Sequence, residues 1–170
     1  MVTPDYLIQL FEYNQWANAR ALDAAEALPT IPLMRPQGHS WGSVHALLVH
    51  MMAAEWIWMR RIRGHSPGAL LDPNAFPNVP AIRARWSAVS AETLAFLHKQ
   101  THESLQSMIE YASTSGKAFS LAMWKILVHV ANHATHHRGE LAAMFALMEA
   151  PHLEDDWYYY FLEQSGQIPA

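Results

Sequence analysis

The stretch SLAMWKILVHVANHATHHRGELAAMFALMEA at residues 120–150 decides how this sequence folds. Its apolar residues recur every three or four positions, which is the spacing of one face of an α-helix. Pro151 follows directly and cannot continue a helix. The pattern therefore predicts one long helix that begins near Ser120 and ends before Pro151. The residues that define its apolar face are Leu121, Trp124, Leu127, Val128, Ala131, Ala134, Leu141, Met144, Phe145 and Met148.

Three further helices are predicted upstream of this one, and each has a recognisable start or end. The first begins after Thr3, whose hydroxyl can cap free amides, and ends at Pro29. The second lies between Ser43, a cap of the same kind, and Gly64. The third covers residues 80–111 and opens with a proline at its first position. Four long helices predict a bundle whose site lies in the core between facing helices.

The remaining segments predict connections and a tail. Residues 30–42 form a loop, and residues 65–80 form a long surface connection that is rich in proline. Residues 155–166, DDWYYYFLEQSG, predict a short terminal helix or ordered tail whose aromatic rings cover a bundle edge or a dimer partner. No alternating strand pattern is visible. The expected fold is therefore an all-α, antiparallel four-helix bundle that forms a single domain over residues 1–170.

Composition narrows the functional classes. The chain has 170 residues, of which 51% are hydrophobic, and a formal net charge of -4, so neither nucleic acid nor a disordered state is expected. The N-terminus lacks a signal sequence, and charged or histidine residues interrupt the most apolar stretches, so we expect a cytoplasmic protein with no membrane segment. There is no cysteine. Disulfides, thiolate metal ligands and a catalytic protein thiol are thereby excluded.

Histidine is over-represented, with eleven residues, as many as lysine and arginine together. The last long helix contains His129, His133, His136 and His137. The pairs 129/133 and 133/137 each lie on one helix face about 6 Å apart, so either pair could bind one metal ion. His129 and His137 are about 12 Å apart along the axis, too far to share a metal whose bonds to nitrogen are about 2 Å long. One of these two must serve another purpose.

A third ligand would have to come from another helix, and His50 lies in the apolar face of the second helix. A histidine in this position can also be an ordinary core residue that hydrogen-bonds a carbonyl group. Spacing alone therefore leaves open which pair binds and whether a metal binds at all. Other motifs are lacking: the sequence has no HExxH, glycine-rich phosphate loop or GxSxG. The one Glu-x-x-His, from Glu149 to His152, encloses a proline, which excludes the helical di-iron element.

Three segments together resemble the DinB family of damage-inducible four-helix-bundle metalloproteins. They are HVANHATHHRGEL at residues 129–141, SWGSVHALLVHMMAAEWIWMRRIRG at residues 40–64 and FEYNQWANARAL at residues 11–22. The resemblance implies that His50, His133 and His137 bind a divalent metal, zinc or nickel being expected, and that the protein is a homodimer. Glu140 stands where the family commonly has glutamine, so the resemblance implies no role for this side chain.

The resemblance also suggests a reaction. Three histidine ligands leave a metal position open for water or substrate, as in catalytic zinc sites. Relatives in the superfamily are transferases and isomerases that use bacillithiol or mycothiol, so we expect a metal-dependent thiol S-transferase or related detoxifying enzyme with a low-molecular-weight thiol and a small-molecule substrate. The alternatives are a hydrolase that uses a metal-bound hydroxide and a stress-related metal- or ligand-binding protein without turnover. Glu55, about 140° round the helix from His50, is expected to face away from the site.

Overall fold

The computed structural model describes residues 2–38, 41–150 and 154–169. Four helices of at least 19 residues account for most of it. None of the helices in these ranges is long and apolar enough to cross a membrane. The elements in chain order are α1 (Pro4–Glu26), α2 (Thr30–Met34), α3 (Val44–Ile62), a 3₁₀ turn (Pro73–Ala75), α4 (Val79–Leu97), α5 (His102–Gln106), β1 (Met108–Ala112), β2 (Ala118–Ala122), α6 (Met123–Leu147) and α7 (Trp157–Gln164).

Side-chain caps fix the starts of three long helices. The Thr3 hydroxyl accepts a hydrogen bond from the amide of Tyr6, and the Ser43 hydroxyl accepts one from Ala46. Asn78 caps α4 in the same way. Each cap satisfies an amide that has no partner within the helix. The predicted starts of the first two helices are therefore confirmed, and the third begins one residue earlier than predicted.

Two apolar clusters fill the bundle, one towards each end. One cluster combines the C-terminal halves of α1 and α6 with the N-terminal halves of α3 and α4, and the other combines the opposite halves. Helices α1 and α6 therefore point one way, and α3 and α4 point the other way. The predicted antiparallel four-helix bundle is confirmed, with antiparallel contacts between α1 and α4 and between α3 and α6. The long connection after α3 is needed because α4 starts at the same end as α3.

The prediction of one helix over residues 80–111 is wrong beyond Leu97. Thr101 and Ser104 form a reciprocal capping box that starts α5, and the chain then enters an antiparallel hairpin in which Met108 pairs with Ala122. Gly116, with a φ of 81°, supplies the left-handed residue of the turn. Strand β2 is largely exposed, and β1 is half-buried at Ile109, Tyr111 and Ala112. The strands are short and contain no fully buried residue, so the alternation of apolar and polar residues is too weak to predict the hairpin.

The structure also tests the predicted loop at residues 30–42 and the predicted terminal helix. Residues 30–34 of the predicted loop form α2, while residues 39, 40 and 151–153 lie outside the described residues. The terminal helix is confirmed as α7, and it covers the edge of α1. There Glu163 accepts hydrogen bonds from the Trp16 indole at 2.9 Å and from Arg20 at 2.6 Å. A second copy of the chain at this edge stays a prediction.

A polar layer separates the two apolar clusters at mid-height. Glu55 lies between α3 and α4 and is bonded to Trp86 and Thr93. Arg138 of α6 faces α1. The third polar group consists of histidines on α3 and α6. Because polar side chains in a core require partners, each of these groups calls for a separate explanation.

Candidate metal centre

Three histidines converge where α3 crosses α6. The Nε2 atom of His50 lies 3.1 Å from the Nε2 atoms of both His133 and His137. The possible ligand atoms of all three residues lie within 4.8 Å of one another. We call these residues the histidine triad. It brings together one residue of α3 and two residues one turn apart on α6.

The spacing of the triad fits a metal ion. Two nitrogens on one zinc ion, at bonds of about 2.05 Å and a tetrahedral angle, are about 3.3 Å apart. The observed 3.1 Å is close to this value. One shared proton could join only two of the three Nε2 atoms, whereas a single cation satisfies all three lone pairs. The residues therefore fit a divalent metal better than a hydrogen-bonded cluster.

Electrostatics keeps two of the ligands in the metal-binding form. Burial lowers the pKa of His50 to about 3, with further contributions from the neighbouring His137 and His133. Burial, followed by the effect of His137 and His129, lowers the pKa of His133 to about 4. Both imidazoles are therefore neutral at physiological pH. A neutral imidazole has the free lone pair that a metal requires.

Two contacts orient the rings from outside the triad. A Glu140 carboxylate oxygen lies 2.9 Å from Nδ1 of His137, and a proton on Nδ1 leaves the Nε2 lone pair directed at the centre. The Trp41 indole stacks on the His50 ring with a centroid distance of 3.8 Å. Glu140 therefore contacts the triad from outside, and Trp41 forms part of the wall of the site.

The other histidines and Glu55 lie outside the triad. His129 stacks on His133 at 5.5 Å, so the structure favours the 133/137 pair over the 129/133 pair. His136 is exposed beside Glu140. The Glu55 carboxylate faces α4 and accepts hydrogen bonds from Trp86, Ser90 and Thr93, so the expectation that it faces away from the site is confirmed.

A cleft of about 220 Å³ opens beside the triad. Two of the triad histidines form one end of it, and aromatic, apolar and cationic side chains form the remainder. A larger groove of about 730 Å³ near Tyr6 and Trp124 contains no triad residue and brings no ligand set together, so the smaller cleft is the candidate substrate site. Its lining residues are His50, Ala54, Ile57, Trp58, Arg61, Leu70, Thr114, His129 and His133.

Sequence reasoning missed two contributors to this cleft. In the sequence, Arg61 lies with Arg60 and Arg63 before Gly64, where cations are expected to stabilise the carboxyl end of a helix, but its side chain is buried. Its position, eleven residues after His50, continues the helical stripe through Ala54 and Trp58, and this spacing is the signal that could have identified it. Thr114 belongs to the hairpin, which no pattern in the sequence predicts.

Comparisons with known proteins identify relatives of this chain. The model of the DinB family matches residues 1–164. Protein DinB of Bacillus subtilis (strain 168) is 23% identical over 147 residues, which covers 82% of this chain and 84% of that protein.

Two solved structures have the same fold. A DinB-like protein from Bacillus cereus ATCC 10987 superposes with a TM-score of 0.68 at 17% identity, covering 88% of this chain and 95% of the other. YfiT from Bacillus subtilis is described as a probable metal-dependent hydrolase with an unusual four-helix bundle topology. It superposes with a TM-score of 0.61 at 14% identity, covering 88% of this chain and 91% of the other. With its family match, its bundle and its clustered histidines, this chain belongs to the DinB family.

Proposed function

We propose that the protein is a metal-dependent enzyme in which His50, His133 and His137 bind one divalent cation, zinc or nickel. The observation that carries this proposal is the convergence of three Nε2 atoms at 3.1 Å contacts. Among the described residues no fourth histidine or carboxylate joins this group. Three protein ligands are the usual number in catalytic zinc sites, whereas structural sites have four.

The reaction that we favour is hydrolysis of a small molecule. A divalent cation, when bound, supplies Lewis acidity and lowers the pKa of a water or thiol that it holds. Hydrolysis also needs a proton acceptor, and His129 borders the same cleft as His50 and His133. Burial lowers the pKa of His129, so its imidazole is neutral and able to take the proton of the attacking water. The description of YfiT as a probable metal-dependent hydrolase is in line with this choice.

Thiol S-transfer is the second candidate. It is the reaction that the sequence resemblance implies, and the apolar side chains of Ala54, Ile57 and Leu70 in the cleft suit the carbon chain of a thiol. Because the chain has no cysteine, a small-molecule thiol would have to supply the sulfur. A thiol has a pKa of about 8.5, far below that of water, so transfer depends less than hydrolysis on His129.

The metal site is tested by measuring metal content. Wild-type protein should retain one zinc or nickel ion per chain, and His133→Ala should lose it. His136→Ala is the matched control, because His136 lies on the same helix with its side chain 65% exposed, and it should retain the metal. Stoichiometric metal in His133→Ala would contradict the triad.

The reaction is tested on the metal-loaded protein. Small esters and amides are offered without thiol, and an alkylating electrophile is offered with a panel of small thiols. Thiol-independent cleavage that falls about 10²-fold or more in His129→Gln, with metal content unchanged, supports hydrolysis. Turnover only with a thiol supports transfer. No turnover with either set supports a stress-related binding protein without catalysis.

A further inference from the structure

Arg61 shares the candidate cleft with the metal centre. One face of α3 presents His50, Ala54, Trp58 and Arg61 in succession, and all four line this cleft. Side chains on a helix lean towards its N-terminus, so the Arg61 side chain leans back along α3 in the direction of His50. The guanidinium and the histidine triad therefore belong to one continuous binding site.

Arg61 is a buried cation without an anionic partner. Its side chain is only 7% exposed, and among the described residues no carboxylate forms an ion pair with it and no acceptor receives a hydrogen bond from it. Arg63, two residues later, does have such a partner in Glu92. Nε of Arg61 is buried without a hydrogen-bond partner, and a buried charge without partners is costly. The N–H groups of the two terminal nitrogens have no acceptor among the described residues, so they are available to a ligand in the cleft.

Aromatic rings hold the guanidinium in place. Its Cζ atom lies 4.6 Å from the centre of the Trp58 ring and 5.4 Å from that of Tyr111. Both rings contact the guanidinium, and among the residues that the structure describes no acceptor contacts its N–H groups. Tyr111 is itself fixed because its neighbour Ala112 donates a hydrogen bond to the Ser66 hydroxyl. Arg61 is thus positioned before any ligand arrives.

We propose that Arg61 binds the anionic group, a carboxylate or a phosphate, of a small organic substrate whose other end reaches the histidine triad. The planar guanidinium matches both oxyanions with two parallel hydrogen bonds. Ala54, Ile57 and Leu70 would contact the carbon chain between the two ends. Eleven residues of helix set an upper limit of about 16 Å for that chain. The inference rests on the proposed function only for the reaction at the far end.

Binding of simple alkyl probes tests this role. Hexanoate, hexyl phosphate and 1-hexanol are titrated by calorimetry into zinc-loaded wild-type protein, Arg61→Gln and Arg60→Gln. Arg60 is the matched control, because it is an exposed arginine on the same helix. In Arg61→Gln the dissociation constant of at least one anionic probe should rise by about tenfold or more, and that of 1-hexanol should not change. Arg60→Gln should bind all three probes like wild type.

Other results overturn the proposal. Equal affinity of both anionic probes for wild type and Arg61→Gln would mean that the anion binds elsewhere, for example on the zinc ion. The proposal would also be contradicted if the wild-type protein bound hexanoate and hexyl phosphate no more tightly than 1-hexanol. If circular dichroism shows that Arg61→Gln is misfolded, Arg61→Lys replaces it. Loss of the guanidinium should then weaken anion binding by about threefold or more, and unchanged binding contradicts the proposal.

The two proposals can fail separately. Anion affinity that depends on Arg61 in a protein without turnover would support the anion site and contradict the enzyme. Turnover of uncharged esters by a protein whose affinity for both anionic probes does not depend on Arg61 would support the enzyme and contradict the anion site. The preference between hexanoate and hexyl phosphate identifies the anion class.

Discussion

Two buried arginines, Arg138 of α6 and Arg61 of α3, differ in what surrounds them. Arg138 is 1% exposed and Arg61 is 7% exposed. All five N–H groups of Arg138 have acceptors in Asp155, Asn14, Asn18, Tyr13 and Thr135. Arg61 has no hydrogen bond from its side chain to any described residue.

The surroundings of the two arginines distinguish a residue that supports the fold from one that is available for function. A fully bonded buried cation between α1, α6 and the segment before α7 is explained by the fold, since it ties these parts together. A buried cation that faces a cleft and lacks partners is not explained by the fold. The same contrast applies to histidine: His50, His129 and His133 line the cleft, whereas His45 is bonded to the carbonyl of Phe76 at 2.7 Å.

The largest effect is expected from Arg138→Met. The substitution removes five hydrogen bonds and leaves the side-chain oxygens of Asn14 and Asn18 buried without donors. We expect a loss of about 3–5 kcal/mol in the free energy of unfolding, measured by urea denaturation. Arg138→Lys is the conservative control and should recover part of this loss. A loss below about 1 kcal/mol in Arg138→Met would remove the distinction between the two arginines.

The next effect is expected at the metal centre, from Glu140→Ala. The carboxylate lies 2.9 Å from Nδ1 of His137, where it fixes the orientation and raises the basicity of the ligand. Zinc affinity should fall about 10- to 100-fold, measured by competition with a chromophoric chelator. His136→Ala removes the other histidine near Glu140 and should retain affinity. Equal zinc affinity in Glu140→Ala and wild type would show that His137 needs no such support.

A smaller effect, a dependence of the free energy of unfolding on pH, is expected from Glu55. Burial raises the pKa of its carboxyl group above the ordinary 4.5, and hydrogen bonds from Trp86, Thr93 and Ser90 offset only part of this rise. The Thr93 hydroxyl also faces the carbonyl of Val89 at 2.9 Å. The single Thr93 proton is shared between these two acceptors, so its support of the Glu55 carboxylate is only partial.

The sign of the pH dependence follows from this raised pKa. Below pH 4.5 the carboxyl is protonated in both the folded and the unfolded chain, and stability is unaffected by its titration. As pH rises above 4.5 the unfolded chain loses the proton first, so the free energy of unfolding falls until the folded group also titrates. Urea denaturation at pH 5 and pH 8 should show wild type weakening relative to Glu55→Gln. A constant difference between the two proteins would argue for a charged Glu55.

Local features of the fold were predictable from the sequence, and contacts between distant segments were not. Thr3 and Ser43 are caps that act within one turn, so the starts of α1 and α3 could be predicted. The hairpin at residues 108–122 could not, because its strands are only five residues long and none of their residues is fully buried. In the sequence the helical pattern of apolar residues continues beyond Leu97, and the capping box that Thr101 forms with Ser104 marks the break.

The candidate site shows the same division. Helical spacing made His133 equally able to pair with His129 or His137, because both lie one turn away. Only the position of His50 across the α3–α6 contact favours one pair. Arg61 was grouped with Arg60 and Arg63 because charge alone does not reveal burial. The direction of α3 relative to α6 decides which of these three cations lines the cleft.

The smallest effect on stability, and the direct counterpart of Arg138→Met, is expected from Arg61→Met. The substitution removes contacts with the Trp58 and Tyr111 rings, which contribute about 0.5–1 kcal/mol. It also removes the cost of burying an unpaired charge and leaves no protein acceptor without its donor. These terms oppose each other, so the free energy of unfolding should change by less than about 1 kcal/mol. A loss as large as that of Arg138→Met would show that Arg61 supports the fold, and the partnerless state of its donors would then carry no functional meaning.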